Sequence, residues 1–257
     1  MYINRVSFDC HGSTTRNDET IEDAISSLLG TWRMSGQICG REWSIVRANG
    51  SWWCTVLSPE SESLDRRFDG RYVSKALERT GMAGLTVTWQ SLGEDPTSAN
   101  PCACASPTAF ALFTTYISLE SPVRCLDCFR PVALHRFKPQ DDGEHFGVIG
   151  WQSNYQSCDS LQMNCTVLEQ AATRELSGVD SDLSKEGRGL CDELSVTSGR
   201  PFYYYLYRSS GESRHTELER RCPGCGGAWA LPARLHMFDF KCDRCRLLSN
   251  IAFSLES

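Results

Sequence analysis

Residues 221–246 read RCPGCGGAWALPARLHMFDFKCDRCR, and they predict the fold of the C-terminal part of the chain. It contains two C-x2-C pairs, Cys222/Cys225 and Cys242/Cys245, which are separated by sixteen residues. This is the spacing of a zinc ribbon, in which two knuckles close one tetrahedral four-thiolate site. The sequence therefore predicts a Zn²⁺ ion held by these four cysteines. Because four thiolates leave no open coordination position, the predicted site is structural rather than catalytic.

A second group of cysteines lies in the middle of the chain. Cys102 and Cys104 form a C-x-C pair, and Cys125 and Cys128 form a C-x2-C pair twenty residues later. A second zinc site is one interpretation, although C-x-C is an unusual half-site; free thiols are another. A redox-active pair at Cys125 and Cys128 is a third interpretation, but no βαβ pattern opens a helix at these cysteines. Zinc and free thiols both stay open.

The remaining cysteines show no metal-binding pattern. Cys158 and Cys165 are two helical turns apart on one face, too far for a shared metal without outside ligands, so we expect them in the core. We expect the same for the other four: Cys10, Cys39, Cys54 and Cys191.

Length and composition indicate a globular protein of 257 residues with one large domain or two ordinary ones. The first residues show no basic segment followed by an apolar run, so we expect no secretory leader. The apolar stretch 108–117 is far shorter than the roughly 20 residues of a membrane span. We therefore expect a cytoplasmic protein without a membrane partner, whose fourteen cysteines are thiols or metal ligands.

Charge is unevenly distributed. The net charge of −6 argues against a protein that coats nucleic acid non-specifically, because such binding is mostly phosphate neutralisation. Residues 214–246 nevertheless carry seven Lys/Arg against four Asp/Glu. A zinc ion with four thiolates adds about −2, which leaves this region only mildly basic. The rest of the chain is distinctly acidic and would suit a basic protein partner.

The first ninety residues alternate strand and helix patterns. Strands are predicted at 2–8, 42–47, 51–57 and 85–90, and helices at 18–32 and 71–80. Ala48-Asn49-Gly50 is expected to form a hairpin turn, and Gly81 to cap the second helix. The order β-α-β-β-α-β is that of a split βαβ unit, so we predict a ferredoxin-like fold for residues 1–95.

For the rest of the chain we predict a mixed α+β domain over residues 96–212 and the zinc ribbon over residues 213–257. Residues 91–107 are expected to form a linker, and 109–119 a strand or short helix. Helices are predicted at 158–177 and 182–198, and a strand at 201–208. The predicted fold class is therefore α+β, with an N-terminal ferredoxin-like domain, an α+β region and a C-terminal zinc ribbon.

The polar segment 151–164 has two interpretations. Its amides and aromatic side chains could form a recognition surface. The favoured interpretation is structural, a helix start with Ser157 or Asp159 near the cap.

Catalytic motifs are missing from the sequence. The histidines form no HExxH pattern, and we find no Gly-x-Ser-x-Gly elbow and no phosphate-binding glycine loop. Residues 141–145 (DDGEH) are expected to form a solvated turn with an exposed histidine. We therefore expect a non-catalytic protein. The five histidines are His11, His135, His145, His215 and His236.

Four stretches carry a resemblance to a known family: SLESPVRCLDCFRPV (118–132), WQSNYQSCDSLQMNC (151–165), PFYYYLYR (201–208) and RRCPGCGGAW with FDFKCDRCRLLSN (220–250). They are similar to a bacterial family of uncharacterised proteins described as zinc-ribbon-containing candidates for nucleic-acid binding. The resemblance implies that the four C-terminal cysteines are zinc ligands. It also places Cys125 and Cys128 in the family's signature, without a role.

Two functional hypotheses follow. The first is a recognition protein that binds nucleic acid or a ribonucleoprotein, in which Trp229, if exposed, stacks on a base. The second is an immunity or antitoxin protein that neutralises a basic protein toxin through its acidic surface. In the first hypothesis the phosphate contacts are Arg220, Arg221, Arg234, Lys241, Arg244 and Arg246.

Overall fold

The computed structural model describes residues 1–10, 18–48, 50–139 and 144–255, and the chain divides into two compact units. The first unit comprises residues 1–103, 119–121 and 130–146; the second comprises 104–118, 122–129 and 147–257. His11, the turn residue Asn49 and residues 141–143 lie outside the described parts. All fourteen cysteines are unbridged. Within the described residues, no helix has both the length and the apolar character to cross a bilayer.

The first unit shows the predicted order of elements. Its antiparallel sheet has the strand order β2-β3-β1-β4, so β3 lies between the two strands that α1 connects. Two predicted details are wrong: β2 begins at Val46 rather than residue 42, and Gly81 lies inside α2, which is capped by Ala83. The elements are β1 (Tyr2–Cys10), α1 (Asp18–Met34), β2 (Val46–Ala48), β3 (Ser51–Ser58), α2 (Arg71–Met82) and β4 (Leu85–Glu94).

One apolar core holds the first unit together. Helix α1 places apolar residues at helical spacing, and alternate residues of β1 and β3 point to a common face. Each such side chain contributes roughly 1.5–3 kcal/mol when fully buried. The most buried members include Val6, Phe8, Ile25, Leu28, Leu29, Ile38, Cys54 and Val73.

The second unit is built on a six-stranded mixed sheet in the order β6-β5-β7-β10-β9-β8. The β5–β7 and β7–β10 pairs are parallel, and the other pairs are antiparallel. The strands are β5 (Phe110–Leu112), β6 (Val123–Cys125), β7 (Phe202–Leu206), β8 (Ala230–Leu235), β9 (Phe238–Cys242) and β10 (Leu247–Ser249). The helices are α3 (Phe146–Asn164), α4 (Glu169–Ser177), α5 (Asp182–Ser198) and α6 (Arg214–Leu218).

The sheet crosses the predicted boundary between residues 212 and 213. Strand β7 is buried at every position, and β10 pairs with it in parallel, with Leu247 opposite Tyr204. Helix α5 packs closely on β7, since a Cβ at Gly187 would lie 2.2 Å from the ring of Tyr204. The strands of the predicted ribbon therefore extend the sheet of the preceding region.

The predicted helix over 158–177 is wrong. The structure has two helices there, α3 and α4, and the break between them contains Cys165 and Leu168 with positive φ. The buried face of α3 includes Gln152, Gln156 and Asp159, so its apolar period is interrupted by polar side chains. Hydrophobic periodicity cannot detect a helix whose buried face is partly polar.

Candidate metal centres

The C-terminal cysteine cluster (Cys222, Cys225, Cys242, Cys245) brings four sulfurs together at one end of the β8–β9–β10 meander. The four Sγ atoms all lie within 4.8 Å of one another. Cys225 Sγ and Cys242 Sγ are 3.7 Å apart. With Zn–S bonds of about 2.3 Å, tetrahedral geometry separates neighbouring sulfurs by about 3.8 Å, whereas a disulfide bond is about 2.05 Å long. The spacing therefore fits a shared metal ion.

Both C-x2-C pairs of this cluster fold as tight knuckles. Gly226 N donates to Cys222 O at 2.8 Å, and Gly226 has a φ of 69°. In the second knuckle Cys245 N donates to Cys242 Sγ at 3.4 Å, and the following residue, Arg246, has a φ of 53°. A left-handed residue directly after the second cysteine is thus common to both knuckles.

The thiols of this cluster have different environments. The backbone N–H of Gly227 lowers the pKa of Cys225 to about 7, because it donates to the thiolate. Burial raises the pKa of Cys222 and that of Cys245. A divalent cation supplies the charge that lets all four ionise, and metal binding then releases protons.

The central cysteine cluster (Cys102, Cys104, Cys125, Cys128) meets the same distance criterion, with all four Sγ atoms within 4.8 Å of one another. Its C-x2-C half also has the knuckle backbone: Phe129 N donates to Cys125 O at 2.7 Å, and Phe129 has a φ of 58°. Cys125 ends β6, and the residues after it form a turn rather than a helix. Two four-cysteine groups in this protein can therefore hold a metal ion.

The turn between β8 and β9 contacts the central knuckle. His236, in this turn, lies with its Nε2 2.7 Å from Leu126 O. Its ring stacks on Phe129, with centroids 5.0 Å apart and planes 16° apart. Sequence reasoning missed this contact, because nothing in the sequence around His236 distinguishes it from an ordinary turn residue.

The residues predicted as phosphate contacts fall into two groups. Arg221, Arg234, Arg244 and Arg246 are exposed. Arg220 instead lies over the rings of Trp229 and Phe240, at 4.9 and 4.3 Å, and donates to Asn250 O at 3.0 Å. Lys241 Nζ is 2.6 Å from Asp243 Oδ1. Arg220 and Lys241 are thus engaged in contacts that hold the C-terminal strands.

Trp229 is not available for base stacking. It is 3% exposed, and its Nε1 donates to Arg220 O at 2.9 Å. The predicted stacking role required an exposed ring, so it is corrected to a core role. The physical reason is that Trp229 and Phe240 form the small apolar layer beneath Arg220.

The cysteines outside the two clusters and His145 differ in burial, partly against prediction. Cys39, Cys54 and Cys191 are buried as predicted, whereas Cys10 and Cys165 are exposed. Cys10 is the last residue of β1, and Cys165 follows the end of α3, so neither reaches a core. His145 was expected to be exposed but is only 6% exposed, and burial lowers its pKa to about 4.

The polar residues of segment 151–164 lie within α3 rather than at a helix cap, so the capping role predicted for Ser157 or Asp159 is wrong. Gln156 Nε2 donates to Ser118 O at 2.6 Å, and Asp159 Oδ2 accepts from Tyr116 N at 2.7 Å. These side chains hold the loop that follows β5.

Three family models match successive parts of the chain. Domains of unknown function DUF8589, DUF2310 and DUF8594 match residues 1–93, 104–207 and 211–255. An uncharacterised protein of Haemophilus influenzae is 37% identical over 244 residues, which cover 93% of this chain and 94% of that protein. A second uncharacterised H. influenzae protein is 41% identical over 167 residues, covering 65% of this chain and 82% of that protein. The chain belongs to the family of these two proteins.

Parts of the chain show a weak similarity to solved structures. A proposed antibiotic biosynthesis monooxygenase from Caulobacter crescentus CB15 is 13% identical with a TM-score of 0.28, covering 36% of this chain and 90% of that one. Another, from Deinococcus radiodurans, is 14% identical with a TM-score of 0.26, covering 37% and 95%. Likenesses of this size carry no conclusion about fold or reaction.

Proposed function

We propose that this protein is a non-catalytic recognition protein that carries two structural zinc ions and binds nucleic acid or a ribonucleoprotein through the surface around its C-terminal cysteine cluster. Zinc is the favoured metal because four thiolates in tetrahedral spacing suit a soft, redox-inert ion. The shared knuckle backbone supports zinc at the central cluster over free thiols or a redox pair. We also assign residues 1–95 to the ferredoxin-like class, because β3 is inserted between the strands that α1 connects.

The observation that carries the nucleic-acid proposal is the excess of exposed arginines in residues 214–246. Of the four acidic residues in 214–246, Glu217 is 3% exposed and Asp239 is 8% exposed. Glu217 pairs with Arg208 at 2.6 Å. Because Arg220 and Lys241 are partly buried as well, the exposed residues keep the net charge of +3 that the whole segment has, now as five arginines against two carboxylates. Its exposed charges are Arg214, Arg221, Arg234, Arg244 and Arg246 against Glu219 and Asp243.

The proposal is tested with the double variant Arg221→Ala/Arg244→Ala. Binding of labelled single-stranded RNA and duplex DNA is measured from about 50 to 200 mM salt, where counterion release dominates affinity. Each lost phosphate contact should reduce the slope of log K against log[salt] by about 0.7 for single strands and about 0.9 for duplex. The matched control is Lys75→Ala/Arg79→Ala, which removes two exposed charges from α2 in the first unit. Wild-type affinity that does not change with salt would refute the proposal.

The second candidate function is that of an immunity or antitoxin protein. Helix α5 favours it, because its exposed charges are four carboxylates against one lysine: Asp182, Glu186, Asp192 and Glu193 against Lys185. A basic protein that copurifies with the chain after nuclease treatment would support this candidate. Loss of every partner on nuclease treatment would support nucleic-acid binding.

A further inference from the structure

The second unit contains a cavity of about 490 Å³ beside α3, within the usual size range of small-molecule sites. Tyr155, Asp159 and Met163 line it from α3 at i, i+4 and i+8, so they share one face of the helix. The opposite wall is formed by the loop after β5, the end of β7, and the side chains of Met237 and Phe253. All these residues belong to the second unit.

Asp159 is the charged group of this cavity. It is 8% exposed, and its Oδ2 accepts one hydrogen bond, from Tyr116 N. No cationic side chain pairs with Asp159 in the part of the chain that the structure describes, and burial raises its pKa. An ionised carboxylate removed from water without a counter-charge is costly. A cationic ligand would offset that cost.

Aromatic rings form much of the remaining wall. Tyr155 is 2% exposed, and none of the hydrogen bonds found among the described residues involves its hydroxyl. Aromatic faces attract organic cations, and rings around a cation form the cages that bind quaternary ammonium groups. No Lys, Arg or His is among the described residues that line the cavity, so no cationic side chain is present there to bind a phosphate. The lining rings are Phe113, Tyr116, Tyr155, Tyr205, Tyr207 and Phe253.

We propose that this cavity binds an organic ammonium ion with an apolar body. Asp159 is the counter-ion, the aromatic faces contact the alkyl groups, and the Tyr155 hydroxyl accepts a hydrogen bond from an N–H of the ligand. The lining residues Ile117 (71%) and Met163 (51%) are exposed, so this side of the cavity faces solvent. The ammonium group belongs either to a free small amine or to a lysine side chain.

The test uses the full, zinc-loaded chain and calorimetry with choline as probe. Its carbon isostere dimethylbutanol has the same shape without the charge. We expect choline to bind at least tenfold more tightly than dimethylbutanol. Asp159→Asn should lower the affinity for choline at least tenfold, because the amide carries no charge. Its carbonyl oxygen can still accept the hydrogen bond from Tyr116 N, so the loop should stay in place. The matched control Asp192→Asn, on the exposed side of α5, should leave affinity unchanged.

A second variant separates the two polar groups. Tyr155→Phe removes only the hydroxyl. It should therefore weaken the binding of butylamine, which has N–H groups, and leave the affinity for choline unchanged. A second probe, acetyl-trimethyllysine amide, distinguishes the two sources of the ammonium group. If it binds more tightly than choline, the natural ligand is a lysine side chain; if it binds more weakly, the natural ligand is a free small amine. The proposal is overturned if no ammonium probe binds saturably, if choline and dimethylbutanol bind equally, or if Asp159→Asn binds choline like the wild type.

Discussion

The two cysteine clusters share a local backbone but differ in their surroundings. In each C-x2-C knuckle the residue after the second cysteine is left-handed: Phe129, Gly226 and Arg246 have φ values of 58°, 69° and 53°. At the central cluster that residue is aromatic and contacts the rings of Phe113 and Phe238, each at 5.4 Å. At the C-terminal cluster it is glycine or an exposed arginine. The same knuckle therefore supports a core at one cluster and a surface at the other.

This difference predicts unequal contributions to stability. Around the C-terminal cluster the apolar layer is small and rests mainly on Trp229 and Phe240. A core of this size usually needs a metal or another covalent constraint. Strand β7 pairs with β5 on one side and with β10 on the other, but at the central cluster Phe129 also joins a larger aromatic core with Phe113 and Phe238. We therefore expect the C-terminal metal to matter more for folding.

The largest expected effect follows from Cys242→Ser. Structural zinc contributes on the order of 10 kcal/mol to folding in zinc-finger peptides. Loss of one ligand should therefore remove about one zinc per chain and unfold β8, β9 and β10. Elemental analysis and hydrogen exchange of these strands measure both effects. The control is Cys10→Ser, an exposed thiol outside both clusters; unchanged zinc content in Cys242→Ser would contradict a metal at this cluster.

Cys128→Ser should have the second largest effect. Eight clustered cysteines imply about two zinc ions in the wild type, and this variant should hold about one. We expect its six-stranded sheet to remain folded, with a smaller loss of thermal stability than in Cys242→Ser. If the wild-type protein holds only about one zinc ion per chain, the central cysteines are free thiols rather than zinc ligands. Rapid alkylation of Cys125 and Cys128 at neutral pH would instead favour a redox pair.

Glycine substitutions at the left-handed positions sharpen the comparison. Phe129→Gly should lower the free energy of unfolding by about 2 kcal/mol. The loss of the aromatic contacts outweighs the gain from removing the strain of a positive φ at a non-glycine residue. Arg246→Gly should stay within about 1 kcal/mol of the wild type. At residue 246, removal of the strain of the positive φ offsets the loss of the 3.0 Å hydrogen bond that Arg246 Nη1 donates to Tyr203 Oη. Denaturant unfolding of the zinc-loaded proteins measures both values; equal effects would mean that the surroundings of the two knuckles are equivalent.

The smallest effect is expected for His236→Ala. It removes the contact to Leu126 O and the stacking on Phe129, and should cost about 1 kcal/mol. The loss should appear as faster alkylation of Cys125 and Cys128, with no change at Cys222. His215→Ala, an exposed histidine of α6, serves as the control and should be nearly neutral. Equal acceleration at both clusters would show that His236 acts on the whole sheet.

Elements with strong local signals were predictable. Helix α5 has the predicted bounds, because Ser181 Oγ accepts from Ser184 N at its start and Gly199, with φ of 66°, ends it. The convergence of the C-terminal cysteines also follows from local spacing. By contrast, α3 was misplaced, since its buried face depends on loops that its polar side chains bind. The cavity at Asp159 was not predicted for the same reason.

Periodicity and spacing were enough to predict the order of elements in the first unit and the grouping of the four C-terminal cysteines, whereas the central cysteines stayed open between zinc and free thiols. Each helix, strand and C-x2-C pair is a pattern within a short stretch of sequence, and the spacing between the two C-terminal pairs is that of a known kind of metal site. The three-dimensional structure was needed to show that β10 pairs with β7, that Trp229 is buried beneath Arg220, and that Glu217 and Asp239 are buried. These outcomes depend on contacts between residues distant in the chain. Such contacts are selected by packing of the whole sheet, and no local pattern encodes them.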